Sequence, residues 1–389
     1  MSLSILAPIG VIGPALRRAA AVADPRSATP ILGCVLLSAG GDGILTITAS
    51  RGSLALVQRV PMGAAIEDTG TIAVDAARLS TVVGGLSGDS VLLRVGGKTG
   101  KCGLDVRAGG SRYSLSAAEA ADYPPSGGDS ADGAADVTTI KGGDLARMLG
   151  ETMFSVCMEE NRYGINGLLI EAPDDVDAGG GDAPRLRIVS TDGSRLSWSE
   201  GPASAAVTLG ERKRLISRAF VAELRKLIGG DDQEWTLTIG ARWISARCGE
   251  VELSGVLVEG EFPDYRMVLP RGGPKRVATV AGPALVSALK RASLMASDRN
   301  SSVRLDFGEG GLTIRAQDVK AGSVVEELAC ELVGAPLSTG FNARYLLEVL
   351  GAARADSVRI ELGEALDPVI LRVDGRADAV FVVMPIRLD

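Results

Sequence analysis

One unit recurs three times along the 389 residues, with a spacing of roughly 130 to 140 residues, the size of a domain rather than of a solenoid repeat. Each copy runs helix, strands, helix, strands. The first helices read GPALRRAAAVA from Gly13, GGDLARMLGETMFSV from Gly142 and GPALVSALKRASLMA from Gly282. Each opens on Gly-Pro or Gly-Asp, where proline fits a first turn and aspartate can cap free amides. The second helices read VDAARLSTVVGGL, ISRAFVAELRKLIGG and FNARYLLEVLGAA. Asp75, Ser217 and Asn342 stand at their N-cap positions, and Gly84, Gly229 and Gly351 near their ends suit C-caps. Short β-branched runs divided by Gly and Asp turns fill the intervals. The expected fold class is α+β, with domains at 1–125, 126–265 and 266–389. Their junctions carry the glycine-rich ADYPPSGGDSADGAAD and the segment EGEFPDYRMVLP.

Composition removes several function classes. There is no histidine, so the commonest general base and the commonest metal ligand are missing. The five cysteines form no C-x-x-C pair, which argues against a zinc site or a disulfide framework. No apolar run reaches the roughly 18 residues of a membrane span. Arg17 and Arg18 follow the apolar N-terminal stretch instead of preceding it as in a signal peptide. A cytoplasmic chain with no membrane partner and no cofactor is expected.

Two enzyme-like motifs fail on inspection. A phosphate loop over VGGKTG needs a glycine five residues before Gly97, and Leu92 stands there. Ser194 in TDGSR has no histidine to activate it, so a turn serine is the better reading. The acidic insert DDVDAGGGDAPR lacks the spacing and terminal glutamate of an EF-hand loop.

The helices carry a charge bias against the chain's net charge of −7. Their cations are Arg17, Arg18, Arg78, Arg147, Arg218, Arg225, Lys226, Lys290, Arg291, Arg344 and Arg354; their acids are Asp75, Asp144, Glu151, Glu223 and Glu348, the first two as caps. For any one helix this is an ordinary solvated face. Repeated in all three units, it describes a positive surface for duplex DNA, held through phosphates without reading sequence. Aromatic residues are only 4% of the chain, too few for base stacking on single strands.

Four segments resemble one family: TPILGCVLL from Thr29; RYGINGLLIEA with VSTDGSRL; EFPDYRMVLP from Glu261; and FVVMPIRL ending at Leu388. Together they identify the chain as similar to the bacterial DNA sliding clamp, the beta subunit of DNA polymerase III. The resemblance implies three clamp-type domains per chain and a head-to-tail homodimeric ring, with helices lining the hole and sheets on the rim. It implies a non-catalytic processivity factor whose partners are double-stranded DNA, the replicative polymerase, the clamp loader and other repair or replication proteins.

The resemblance also implies a hydrophobic pocket for client peptides. Carried over by motif, it comprises Ile165; Thr191, Gly193, Ser194, Arg195 and Leu196; Pro263 and Val268; and Val382, Met384, Pro385, Ile386, Arg387 and Leu388, with Asn342 and Tyr345 at its border and arginines as rim donors. Arg26 matches a position that touches DNA, beside the helix cations Arg17, Arg18, Arg78, Arg147, Arg218, Arg225, Lys290 and Arg344. Leu294 and Met295 match the ring interface, the alternative being the buried face of their own helix. Ser194 stands where many members have histidine, and Asp389 extends the usual terminal leucine. These departures leave open an accessory or inhibitor-resistant copy beside the housekeeping clamp. A scaffold that never encircles DNA is the remaining alternative, and it would leave the helix cations idle.

Overall fold

A computed structural model describes residues 3–96, 102–124, 135–159, 164–173, 183–205, 214–270, 272–296, 301–318 and 322–387. Leu388, Asp389, the centres of the 126–136 linker and the 174–185 insert, and the end of VGGKTG lie outside them. Six α-helices are described, and a β-strand runs directly into each. The unit of construction is therefore βαβββ, repeated six times.

The first repeat is β1 (Ser4–Pro8), α1 (Ile9–Val22), β2 (Cys34–Ala39), β3 (Ile44–Arg51) and β4 (Leu54–Pro61), followed by the short β5 (Ile66–Asp68). The second is β6 (Gly70–Asp75), α2 (Ala76–Gly84), β7 (Ser90–Gly96), β8 (Gly103–Ala108) and β9 (Ser111–Ala118). The third is β10 (Asp136–Lys141), α3 (Gly142–Thr152), β11 (Gly167–Glu171), β12 (Arg185–Thr191) and β13 (Arg195–Pro202). The fourth is β14 (Arg214–Ser217), α4 (Arg218–Leu227), β15 (Glu234–Ile239), β16 (Trp243–Cys248) and β17 (Val251–Val256). The fifth is β18 (Arg276–Ala281), α5 (Gly282–Ser293), β19 (Ser302–Gly308), β20 (Gly311–Asp318) and β21 (Gly322–Leu328), followed by β22 (Cys330–Val333). The sixth is β23 (Leu337–Asn342), α6 (Ala343–Ala353), β24 (Ser357–Leu362), β25 (Val369–Val373) and β26 (Ala379–Val383).

The chain divides into two compact units, residues 1–139 with 222–257 and residues 140–221 with 258–389. The first holds one 13-stranded sheet in which β17 pairs with β4, so strands from the fourth repeat extend those of the first. The second holds a nine-stranded sheet, ordered β14-β11-β12-β13-β26-β25-β24-β18-β22, and a four-stranded sheet. Its helices turn an apolar stripe to the core. In α5 Leu285, Ala288, Leu289 and Ala292 are buried at helical spacing while Lys290 and Arg291 are exposed. Strand β26, AVFVV, is buried at every position. Ala379, Phe381 and Val383 join one apolar cluster, and Val380 and Val382 join the other.

The predicted caps at Asp75 and Asn342 are present: each side chain accepts an amide hydrogen from the first turn, of Arg78 at 2.7 Å and of Arg344 at 2.9 Å. Ser217 accepts from the Phe220 amide at 3.2 Å. Three expectations need correction. Helix α1 begins at Ile9, so Pro14 lies inside it and leaves the Gly10 carbonyl without its usual amide. Asp144 does not cap α3; its carboxylate pairs with Arg147 at 3.2 Å. Gly351 is an interior residue of α6, whose C-cap is Arg354 in the left-handed conformation at φ 46°.

A Cβ placed on Gly351 meets nothing within 4 Å. Gly351→Ala should therefore stabilise the protein by about 0.5–1 kcal/mol, because alanine loses less chain entropy in a helix than glycine. A C-cap glycine would respond with a loss instead, and thermal unfolding of the variant separates the two.

Candidate functional site

Strand β13 pairs with β26 antiparallel, placing Arg195 opposite Val383, Leu196 opposite Val382 and Trp198 opposite Val380. Residues nearly two hundred positions apart thereby share one surface. Leu196 and Val382 point to the same side and form the floor of a cavity of about 630 Å³.

Its walls are built by local chemistry. At the end of β12, Gly193 takes φ 89°, a conformation that favours glycine. Asp192 accepts the amides of Ser194 and Arg195 at 2.9 and 3.0 Å, closing the turn. The Ser194 carbonyl accepts the Met384 amide at 2.8 Å, which ties the chain after β26 to this turn. The opposite wall is a 3-10 turn over Tyr265–Val268. Tyr265 is buried, packs edge-on against Phe262 and donates its hydroxyl hydrogen to Glu171 at 2.5 Å while accepting from Arg187 at 2.7 Å. Burial and the bond to Glu171 raise the Tyr265 hydroxyl far above its ordinary range, against the opposing pull of Arg187. At Gly164 a Cβ would stand 2.3 Å from the Glu261 carbonyl oxygen, so only glycine lets the segment carrying Ile165 approach so closely.

Nine of the residues named from sequence line this one cavity: Ile165, Thr191, Gly193, Arg195, Leu196, Pro263, Val268, Val382 and Met384. The others are placed differently. Ser194 contributes backbone bonds; Asn342 caps α6; Tyr345 stacks on the Arg195 guanidinium at 4.5 Å. Ile386 bonds through its amide to the Gly340 carbonyl at 2.8 Å, and neither it, Pro385 nor the exposed Arg387 lines the cavity. Glu261, Asp264 and Tyr265 also line it. They were not named from sequence, although they lie inside the EFPDY motif itself.

Arg195 is not a rim donor. Its guanidinium is mostly buried, bonded to Asp192 at 3.0 Å, to the Phe154 carbonyl at 2.9 Å and to Glu348, and it also faces the Phe154 ring. The mouth is instead acidic, with Glu261 and Asp264. Burial tends to push the Glu348 carboxyl up, but hydrogen bonds from Arg344 and Arg195 outweigh it and hold the carboxyl below the usual glutamate range.

The helix cations sort into two groups. Arg147 is locked by Asp144, Glu151, Asp378, Ser199 and the Glu200 carbonyl, so it is not a free cation on a DNA-facing surface. Arg344 is exposed and paired with Glu348 at 2.9 Å. Arg18 is exposed but donates to Gln58 at 2.7 Å. Arg17, Arg26, Arg78, Arg218, Arg225 and Lys290 are exposed. Leu294 and Met295 part company: Leu294 is 75% exposed, while Met295 packs against the core of α5 and α6.

The fold and the groove define a non-catalytic, repeat-built subunit that presents an apolar cavity to a partner segment. Family models of the DNA polymerase III beta subunit match its N-terminal domain to residues 11–126, its central domain to 139–264 and its C-terminal domain to 266–387. The Beta sliding clamp of Pseudomonas putida is 32% identical over 375 residues, covering 96% of both chains. That of Escherichia coli K12 is 31% identical over 365 residues, covering 93% of this chain and 94% of its own. Among solved structures, the Pseudomonas aeruginosa sliding clamp bound to griselimycin superposes with a TM-score of 0.90 at 29% identity over the whole of both chains. The Caulobacter crescentus sliding clamp gives 0.87 at 28%, again over both whole chains. The chain belongs to the DNA polymerase III beta subunit family, the beta sliding clamps. It is a processivity factor of the polymerase and not an enzyme.

A carboxyl held low in the fold stabilises it above the ordinary glutamate range, and the advantage is lost as pH falls through the depressed value. Glu348→Gln should therefore flatten the decline of melting temperature between about pH 5 and 3, most visibly at low salt. An unchanged acid limb would remove Glu348 from the groups that set acid stability.

Proposed function

We propose that two copies of this chain close head to tail into a ring around duplex DNA, and that the cavity beside β13 and β26 receives client peptides. The convergence of nine motif residues on one cavity carries the peptide-binding reading. In this reading the chain has clamp domains at 1–125, 126–265 and 266–389 and works in the cytoplasm. Its clients are the replicative polymerase, the clamp loader and repair or replication proteins. A client supplies one leucine and one aromatic side chain; each, fully buried, contributes roughly 1.5–3 kcal/mol, enough for micromolar binding after ordering costs. The acidic mouth favours clients with a basic residue beside the anchor. Leu294 is the ring-interface residue, because three-quarters of it is left exposed in the single chain.

Truncation after Val383 removes Met384 from the cavity and the tail bonds beyond it. It should abolish binding of a leucine-and-aromatic peptide in calorimetry while leaving the melting transition cooperative. Full-strength binding by the truncated chain would remove the pocket assignment.

The DNA-facing cations in this reading are Arg17, Arg18, Arg26, Arg78, Arg218, Arg225, Lys290 and Arg344. Reversing charge at Arg17, Arg78, Arg218 and Lys290 together should shorten retention on nicked circular DNA and steepen its loss with salt, since each phosphate contact contributes about 0.9 to the logarithmic salt slope. Peptide affinity should not change. Retention equal to the parent across a salt series would sink the basic hole, and equal retention on linear DNA would sink the ring.

A further inference from the structure

The client cavity has a larger neighbour. A cleft of about 1130 Å³ lies under the segment Met267–Lys275, floored by Trp198, Ile370 and Val380. Val268 and Met384 line both spaces. Met267, on the wall of the cleft and not of the client cavity, is 73% exposed, a large apolar side chain left in water beside an opening. The charged side chains of the cleft are already matched with one another: Arg185 with Glu200 at 2.9 Å, Arg372 with Glu361 at 3.2 Å, and Lys275 with Glu364 at 2.9 Å. An anionic ligand would have to displace an existing partner from each cation. An apolar side chain has only water to displace from Trp198, Ile370, Val380 and Met267.

We infer that this cleft is a second docking subsite, which takes an uncharged apolar side chain from the same client peptide a few residues beyond its anchor. The inference rests on the client cavity being where such peptides bind. Continuity selects the occupant: a chain leaving the cavity over Val268 and Met384 enters the cleft directly. At about 3.3 Å per extended residue, four residues add roughly 13 Å, enough to carry a side chain past the shared wall. Clients would then be graded in affinity by sequence outside the anchor, with Met267 as the specificity-determining contact.

The test uses the full chain and three synthetic peptides: a hexapeptide with one leucine and one phenylalanine, and the same peptide lengthened by Ser-Gly-Leu-Ser at its N-terminus or at its C-terminus. One lengthened peptide should bind about fivefold tighter, the order left by burying one apolar side chain after ordering costs. The gain should vanish in Met267→Ser, which alters an exposed side chain and leaves hexapeptide affinity unchanged. The same lengthened peptide should shift the emission of Trp198, which lines the cleft alone, and the hexapeptide should not. No gain from either extension, or a gain that survives Met267→Ser, overturns the second subsite while leaving the first intact. Failure of the hexapeptide itself to bind removes the client cavity, and the second subsite with it.

Discussion

The ladder between β13 and β26 is the interaction on which the second unit depends. It joins Arg195–Ser199 to Ala379–Val383, and both strands are buried along the paired length. A strand buried on both faces has its register fixed twice, because a slip of one residue exchanges the sets of side chains offered to the two cores. Here a slip would take Phe381 and Val383 out of one cluster and Val380 and Val382 out of the other. The client cavity is a by-product of that fixed register: Leu196 and Val382 can share a floor only while they are directly opposite. Arg195 braces the same junction from its other side, linking the β12–β13 turn to Glu348 on α6.

Helices were legible in the sequence because their apolar residues recur at a spacing that strands cannot imitate. The caps at Asp75, Ser217 and Asn342 were legible because each serves its helix through a local bond. The strand that enters every helix was not read. SILAP and RVATVA pass into α1 and α5 with no Gly, Asn or Asp turn between, and turn residues are the punctuation by which a strand is recognised. The Gly-Pro pair in α1 misled for the opposite reason. Proline suits a first turn, but here the helix runs back to Ile9. The sixfold construction was accordingly seen only as its threefold half.

The cavity was legible through its motifs and in no other way. No periodicity predicts that STDGSRL, EFPDYRMVLP and FVVMPIRL meet, since the meeting is made by the β13–β26 ladder and by the backbone approach at Gly164. The motif reading stopped short where it followed residue type. Glu261 and Asp264, being acidic, did not fit the idea of an apolar groove with arginine donors, yet they form its mouth. Asn342, Tyr345, Ile386 and Arg387 are close in sequence to cavity or core residues and still do not line it.

Charge was the feature most distorted by reading residues one at a time. A count of cations on helices treats Arg147 and Arg218 alike, although the first is enclosed by five polar partners and the second is exposed. Arginine serves two purposes in this chain. Arg187 sits almost fully buried against Trp198 at 4.6 Å, with Glu200 and Tyr265 satisfying its donors, and there it fixes side-chain positions. Arg147, Arg195 and Arg376 act likewise around Glu151, Asp378 and Glu348. A buried guanidinium of this kind would cost several kcal/mol to strand, so its partners hold it in the fold and away from phosphate. The cations left for DNA are then fewer than composition suggests. That suits a subunit whose contact with the duplex must be weak at every position along it: attachment by a few screened contacts favours no register, and a bound duplex can move by small steps without breaking a strong one.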